Sequence, residues 1–245
     1  MSELTLHTAN YEIRAGEVDH RGLLTVPALM QLMQETSLKH VIKLKASVWD
    51  MKDASWVLLS KEITIKKLPA IGDTISIATY PAGVNRIYAY RDFWVYDDQG
   101  EVIATASSTW TLLNLSTRKL QAIPDKIKEL PLPSGFEPLQ HAPMKIRFPE
   151  LEYAESPFYI GYYHLDWNNH VNNVHYLKFI LESVSDQLKL YKPSRIHILF
   201  KGEALYRDAL TVASHFDPLQ HISYHKIHST EDKVITQSYI EWESK

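Results

Sequence analysis

The chain predicts an α+β fold assembled twice from one pattern: a long helix followed by several antiparallel strands. Three observations carry this expectation. A short polar motif recurs 147 residues apart. An amphipathic helical stripe follows each copy. Each stripe leads into strand-forming segments separated by turn signals.

The motif comes first. Val18-Asp19-His20-Arg21-Gly22-Leu23-Leu24 aligns with Leu165-Asp166-Trp167-Asn168-Asn169-His170-Val171, and at the same offset Glu35 falls on Glu182. Further along, Glu62 pairs with Glu203 and Trp110 with Trp242, at shorter offsets of 141 and 132. Shorter loops in the second copy account for the drift. The shared order is the argument for duplication.

The first helix is expected to start near Thr25, an N-cap residue type with Pro27 in the first turn. Leu29, Leu32, Met33, Thr36 and Val41 form its apolar stripe. The second starts near Asn172, with Val174, Leu177, Leu181, Val184 and Leu188 on one side and Pro193 after its end. Strands are expected at Trp56–Ile65, Thr74–Tyr80, Arg86–Tyr96 and Val102–Asn114, then at Arg195–Leu205, Leu210–Phe216, Ile222–Ser229 and Val234–Trp242. All are rich in β-branched and aromatic residues. Asp97-Asp98-Gln99-Gly100 and Thr230-Glu231-Asp232-Lys233 supply hairpin turns. Between the copies, residues 131–143 carry four prolines, which suits an extended linker. The expected division is therefore 1–130, a linker at 131–143, and 144–245.

Composition narrows the function classes. A chain of 245 residues can bury about 70–75% of its unfolded surface, so it needs no disulfide or metal staple. It has no cysteine, which excludes disulfides, Cys-ligated zinc, iron–sulfur clusters and a thiol nucleophile. A net charge of −3 gives no global field for nucleic acid or membrane. Met1–His7 does not read as a signal peptide, and no window reaches the roughly 18 apolar residues of a spanning helix. The cytoplasm is the expected location. No cofactor is expected, and no metal: His170 and His175 are five apart, off one helix face, and HExxH is absent.

One segment could carry chemistry. His164 to Asn173 holds an acid, two imidazoles and several amides just before a helix N-cap. A helix N-terminus offers free N–H groups and partial positive charge that can stabilise an oxyanion. Asp166, Asn168 and His170 fall at alternate positions, so in an extended segment they share one face. That set suits hydrolytic or acid–base work. Asx-rich stretches before helices also form ordinary turns and caps, and the residues leave both readings open. Glu203 is a second candidate, an acid at the end of the apolar stretch Ile198–Phe200. It either faces solvent by strand alternation or sits in a site.

The stretch Leu165-Asp166-x-Asn168-x-His170-Val171-Asn172-Asn173-Val174-x-Tyr176 resembles the active-site signature of the acyl-acyl-carrier-protein (acyl-ACP) thioesterases. Gln34-Glu35-Thr36, Trp56-Val57, Pro69, Gly72-Asp73, Arg91-Asp92, Trp110, Asn114 and Thr117-Arg118 follow that family's order as well. The resemblance runs from about residue 4 to 243. It implies a double hotdog fold, two tandem repeats that each wrap a long helix in an antiparallel sheet. It implies hydrolysis of fatty acyl-ACP to free fatty acid and holo-carrier, with acyl carrier protein as partner. It places the catalytic set on Asp166, Asn168, His170 and Glu203. Many relatives carry Cys directly after that Glu; here the position is Ala204.

The implied mechanism is direct attack by water, with Glu203 or His170 as general base and Asn168 and helix amides holding the oxyanion. The first copy has Arg21, Gly22 and Leu23 where the second has Asn168, Asn169 and His170, so one active site per chain is expected. The first copy would line the acyl pocket, with Leu29, Leu32, Met33 and Trp56 in its wall or simply in the core. Arg86, Arg91, Lys178 and Lys201 are candidates for a basic rim facing the acidic carrier. An acyl-CoA thioesterase and a non-catalytic acyl- or carrier-binding protein are the alternatives. A homodimer is the default assembly.

Overall fold

The computed structural model describes residues 5–44 and 53–245. Met1–Leu4, where the segment read for a leader begins, lies outside the described residues. The chain divides into two compact units, Met1–Ala142 and Pro143–Lys245. Each is antiparallel sheet with one long helix, an α+β architecture.

In the N-terminal unit the strands are β1 (His7–Glu12), β2 (Ala54–Ile65), β3 (Thr74–Asn85), β4 (Tyr88–Tyr96), β5 (Val102–Asn114) and β6 (Leu120–Gln121). They pair in the order β1-β3-β4-β5-β2, with β6 on β5. Helix α1 (Val26–Lys43) lies against β3 and β1. Its N-cap is Thr25, whose hydroxyl accepts the Ala28 N–H at 3.3 Å. Leu29, Leu32, Met33 and Thr36 are buried as their spacing predicts, and Val41 is half-buried. Each fully buried aliphatic side chain contributes about 1.5–3 kcal/mol. A short helix, α2 (Asp125–Lys128), follows β6.

In the C-terminal unit the strands are β7 (Ala154–Tyr159), β8 (Tyr191–Phe200), β9 (Ala209–Asp217), β10 (Ile222–Ser229) and β11 (Val234–Ser244), in the order β8-β11-β10-β9-β7. Helix α3 (Asn173–Ser183) lies against β9, β10 and β7, and the one-turn α4 (Gln187–Leu190) leads into β8. Val174, Leu177 and Leu181 are buried in α3, and Val184 closes it. No helix among the described residues is long and apolar enough to cross a membrane.

The edge strands β1 and β7 escape sequence reading for a physical reason. HTANYE and AESPFY are short, and polar on one side. Each pairs on a single side, which is where Pro157 of β7 is tolerated. Strand β3 runs five residues beyond its expected end because a bulge at Pro81–Gly83, with Gly83 at φ +126°, absorbs the missing proline donor. The expected strand Arg195–Leu205 starts earlier and stops at Phe200. There both Lys201 N–H and Gly202 N–H donate to the single carbonyl of Ile235, and the chain peels off the ladder.

The Pro-rich segment, 131–143, has no helix or strand, turns at Ser134–Gly135 where Phe136 N–H donates to the Pro133 carbonyl at 3.3 Å, and is docked. Asp92, fully buried, accepts the Leu139 N–H at 2.7 Å and lies 3.1 Å from His141 Nε2. The Tyr80 hydroxyl donates to the Glu137 carbonyl at 2.8 Å, and Phe136 packs on Tyr80 and Trp94.

One layer of the N-terminal unit carries buried charge. Across β2-β5-β4, Lys61 pairs with Ser108, and Ser108 with Arg91. Lys61 is 3% exposed and Arg91 8%. Arg91 Nη1 donates to Thr79 Oγ1 at 3.2 Å and lies 3.0 Å from His40 Nδ1. Lys61 Nζ sits 4.2 Å above the Phe93 ring. A buried ammonium is costly unless paired. Burial, aided by the Arg91 charge, pulls Lys61 down to about 7 from the ordinary 10.5. The folded chain therefore sheds a proton that the unfolded chain keeps between those two values, and stability rises with pH across that window. The limiting slope is about 1.4 kcal/mol per pH unit. Replacing Lys61 by Met should raise stability at pH 7, and the advantage should shrink as pH approaches 10. Urea denaturation of both proteins at pH 7 and 9.5 checks this, and a gap independent of pH would contradict it.

Candidate active site

The signature segment folds as a tight loop before α3. Asp166 N–H donates to the His170 carbonyl at 2.8 Å, and Asn169 N–H to the Asp166 carbonyl at 3.1 Å. The Asp166 carboxylate accepts the backbone N–H groups of Asn168 (2.8 Å) and His170 (3.3 Å). An Asx side chain that captures the amide two residues on is a standard turn device. Asn169 takes φ +61°, the left-handed region that Asn tolerates. Leu165 and Val171 close the loop as a β-bridge. Asn172 then caps α3, its Oδ1 accepting the Val174 N–H at 3.1 Å. The turn-and-cap reading and the site reading thus hold for the same residues.

Glu203 lies not on the expected strand Arg195–Leu205 but in the loop that follows β8, so strand alternation does not set its direction. Its carboxylate Oε2 lies 3.5 Å from His170 Nε2, with side-chain exposures of 38% and 33%. Backbone one residue along brings the two together: Val171 N–H donates to the Ala204 carbonyl at 3.0 Å. Ala204 is 1% exposed, and its own N–H donates to the Tyr176 hydroxyl at 3.0 Å. Leu205 N–H is held by Asp208 Oδ2 at 2.8 Å, which fixes the far side of the loop.

Of the four predicted residues, then, the structure joins His170 and Glu203 through their side chains. Asp166 shapes the loop through its carboxylate. Asn168 gives its backbone N–H to Asp166 and is exposed to solvent beside them. Among the first amides of α3, Val174 serves Asn172 Oδ1 and His175 serves the Asn172 carbonyl at 2.8 Å. The Asn173 amide, at the first position of α3, and the Asn168 side chain are candidate donors for an oxyanion.

The His175 and His164 rings lie tilted to each other at 4.8 Å, and both pack on Phe179. Burial, then Lys178 and His164, push His175 down to about 4; burial and Lys178 lower His164 as well. His175 is therefore neutral at ordinary pH. Among the described residues no cluster of three or more His, Asp or Glu has the geometry to hold a metal ion.

The remaining sequence candidates separate by burial. Leu29, Leu32 and Met33 are sealed in the core of the N-terminal unit. Trp56 is half-buried against a small cluster of Ala89, Leu112, Ile123 and Ile127. Arg86, Lys178 and Lys201 are exposed. Arg91 is not: it points into the layer under α1 and cannot belong to a basic rim. Sequence reading missed the Tyr176–Ala204 contact, although the motif that carries Tyr176 was legible. A buried tyrosine in a core stripe gives no sign of what its hydroxyl reaches.

Comparison with known proteins follows the same halves. The family model for the acyl-ACP thioesterase N-terminal domain matches residues 5–130, and that for the acyl-ACP thioesterase C-terminal domain matches residues 149–244. The chain is 30% identical to oleoyl-acyl carrier protein thioesterase 2, chloroplastic, of Arabidopsis thaliana, over 72% of this chain and 53% of that protein. It is 28% identical to palmitoyl-acyl carrier protein thioesterase, chloroplastic, of Cuphea hookeriana, over 73% of this chain and 47% of that protein. The chain spans about half the length of the curated relatives it matches. An acyl-ACP thioesterase structure from Bacteroides thetaiotaomicron superposes with TM-score 0.86 at 22% identity, covering 99% of this chain and 100% of that one. The 12:0-ACP thioesterase from Umbellularia californica gives 0.83 at 21%, covering 98% of each. At such identities the likeness is one of fold.

Because the Asp166 carboxylate takes two loop amides, Asp166→Ala should cost about 1–2 kcal/mol and disorder the approach to His170. Asn169→Gly should be neutral, since glycine accepts the same positive φ. Urea unfolding of both variants tests the pair. Equal stability of Asp166→Ala and wild type would show that the carboxylate does not hold the loop.

Proposed function

The chain belongs to the acyl-ACP thioesterase family, and from that premise we propose that it hydrolyses fatty acyl thioesters of acyl carrier protein, releasing free fatty acid and holo-carrier and so ending fatty acid synthesis. The observation that carries this reading is the His170–Glu203 pair at 3.5 Å, set beside the Asp166–Asn168 loop at the mouth of α3. The chain has no cysteine, so no thiol can serve as nucleophile.

Water is the nucleophile in this reading. Its oxygen bonds to the thioester carbonyl carbon while its proton passes to the His170–Glu203 pair. The carbonyl oxygen becomes an oxyanion, held by the Asn168 side-chain amide and the Asn173 N–H at the positive end of α3. Collapse breaks the carbon–sulfur bond, and the pair returns its proton to the departing thiolate. Asp166 acts by holding the amides of Asn168 and His170, and so the loop that aims both side chains. The partner is acyl carrier protein, with Lys178, Lys201 and Arg207 as exposed cations close in sequence to the catalytic residues.

We read the fold as two tandem hotdog repeats, 1–130 and 144–245, joined by the linker at 131–143. Recurring hydrogen bonds support this. Asp19 N–H donates to the Leu23 carbonyl and Gly22 N–H to that of Asp19, as Asp166 to His170 and Asn169 to Asp166. Asp19 Oδ1 accepts the amides of Arg21 and Leu23, as Asp166 Oδ1 accepts those of Asn168 and His170. Gly22 has φ +74° where Asn169 has +61°. Leu24 N–H donates to the Pro69 carbonyl, as Val171 does to Ala204. In this reading the last bond supports a counterpart for Glu203 other than Glu62. If Pro69 matches Ala204, the residue matching Glu203 is Leu68, and the first copy has Leu23 and Leu68 in place of the catalytic pair. The acyl chain is assigned to the N-terminal unit, with Leu29, Leu32, Met33 and Trp56 as its wall. The first three are sealed in the free chain, so that pocket opens as the chain enters. The cytoplasm is the proposed compartment.

Purified protein assayed on acyl-ACP and acyl-CoA of matched chain length, with free fatty acid detected, tests the substrate class. Turnover should favour the carrier protein. Glu203→Gln and His170→Ala should each lower kcat by about 100-fold or more with the fold intact by circular dichroism. Near-normal turnover in either variant removes that residue from the mechanism, and a trapped acyl-enzyme would overturn direct attack by water.

A further inference from the structure

We propose that Tyr176 is a positioning residue of the active site: its hydroxyl, by accepting the Ala204 N–H, sets Glu203 against His170. This rests on the catalytic reading above and deepens it. Tyr176 lies on α3 with 2% exposure, and its ring packs on Phe200, the last residue of β8. Its hydroxyl oxygen is 3.0 Å from the Ala204 nitrogen. Burial raises the hydroxyl's pKa, with the carboxylates of Glu203, Asp208 and Asp166 adding to the rise, so it stays a neutral phenol.

Ala204 is therefore gripped on both sides. Its carbonyl accepts from Val171, the neighbour of His170, and its amide donates to α3. The carbonyl bond draws the two loops together. It leaves the peptide that joins Glu203 to Ala204 free to tilt about that contact. The tyrosine hydroxyl fixes the tilt, because the amide it holds belongs to that same peptide. The side chain of Glu203 starts one atom beyond it. Displacements near 1 Å at a catalytic group cost about 100-fold in rate.

The N-terminal unit provides an internal control. The bond from Leu24 N–H to the Pro69 carbonyl, at 2.8 Å, matches the one from Val171 to Ala204. Yet the position of Ala204 is taken by Pro69, which has no N–H, and the position of Tyr176 by Leu29, which has no acceptor. The loop closes there without the second bond. That unit also has Leu23 and Leu68 where His170 and Glu203 stand, so the grip on the amide occurs where a catalytic pair needs aiming and is missing where none exists.

The test is Tyr176→Phe, which keeps the ring and deletes the acceptor. With acyl-ACP as substrate, kcat should fall about 10- to 100-fold and KM should stay within about 2-fold. Combined with Glu203→Gln, the tyrosine change should add less than about 2-fold, since it acts through Glu203. Amide exchange at Ala204 should accelerate at least 10-fold, whatever the activity. Full additivity with Glu203→Gln, or wild-type kcat in Tyr176→Phe, overturns the proposal. Unchanged Ala204 exchange overturns it as well. If Glu203→Gln itself turns over normally, the catalytic reading fails. If Glu203→Gln is crippled and Tyr176→Phe is not, only the positioning role fails.

Discussion

A single backbone hydrogen bond, Val171 N–H to the Ala204 carbonyl, is the contact on which the candidate site depends. His170 and Glu203 are 33 positions apart in sequence, and each sits next to one end of that bond. Side chains alone would fix the loop before α3 against the loop after β8 weakly, because polar side chains lose rotamer entropy for every fixed geometry. A main-chain bond between residues one step away removes most of that freedom in advance. Around it the other restraints are local: an Asx turn at Asp166, a left-handed Asn169, the Asn172 cap and the Asp208 clasp.

How much of this the sequence reveals depends on how local each interaction is. Helices α1 and α3 are legible because Thr25 and Asn172 announce their starts and the apolar spacing carries their faces. The hairpin pairs are legible through Asp97–Gly100 and the strand-forming runs that flank it. Edge strands are not, since their stability comes from a partner elsewhere in the chain. The same holds within the site. The Asp166 loop, a contact over four residues, is readable as a turn. Glu203 stands out only as an acid after an apolar stretch, and its nearness to His170 is a product of long-range folding. Arg91 shows the reverse failure. Its charge suggested a rim, and its burial under α1 places it in the interior of the N-terminal unit.

The two units solve one layer of their interiors differently. In the C-terminal unit the pairs Ile196–Ile240 and Ile240–Ser223 lie in the register that Lys61–Ser108 and Ser108–Arg91 take in the N-terminal one, and all three of those residues are fully buried. An uncharged layer therefore suffices for this type of sheet-and-helix packing. Charge in the other layer is carried at a free-energy cost, eased by the Phe93 ring, Thr79 and the His40 imidazole, and by the readiness of Lys61 to lose its proton.

Pro69 has a consequence for the history of the chain. On the two-repeat reading, a histidine placed at residue 23 would not by itself rebuild the site in the first unit. The first unit would also need an acid at residue 68, an acceptor at residue 29, and an amide at residue 69, which proline cannot supply. No one of these changes is rewarded without the rest. On the two-repeat reading, the imino acid thus works as a ratchet that closes the stepwise route to a second site in the first unit.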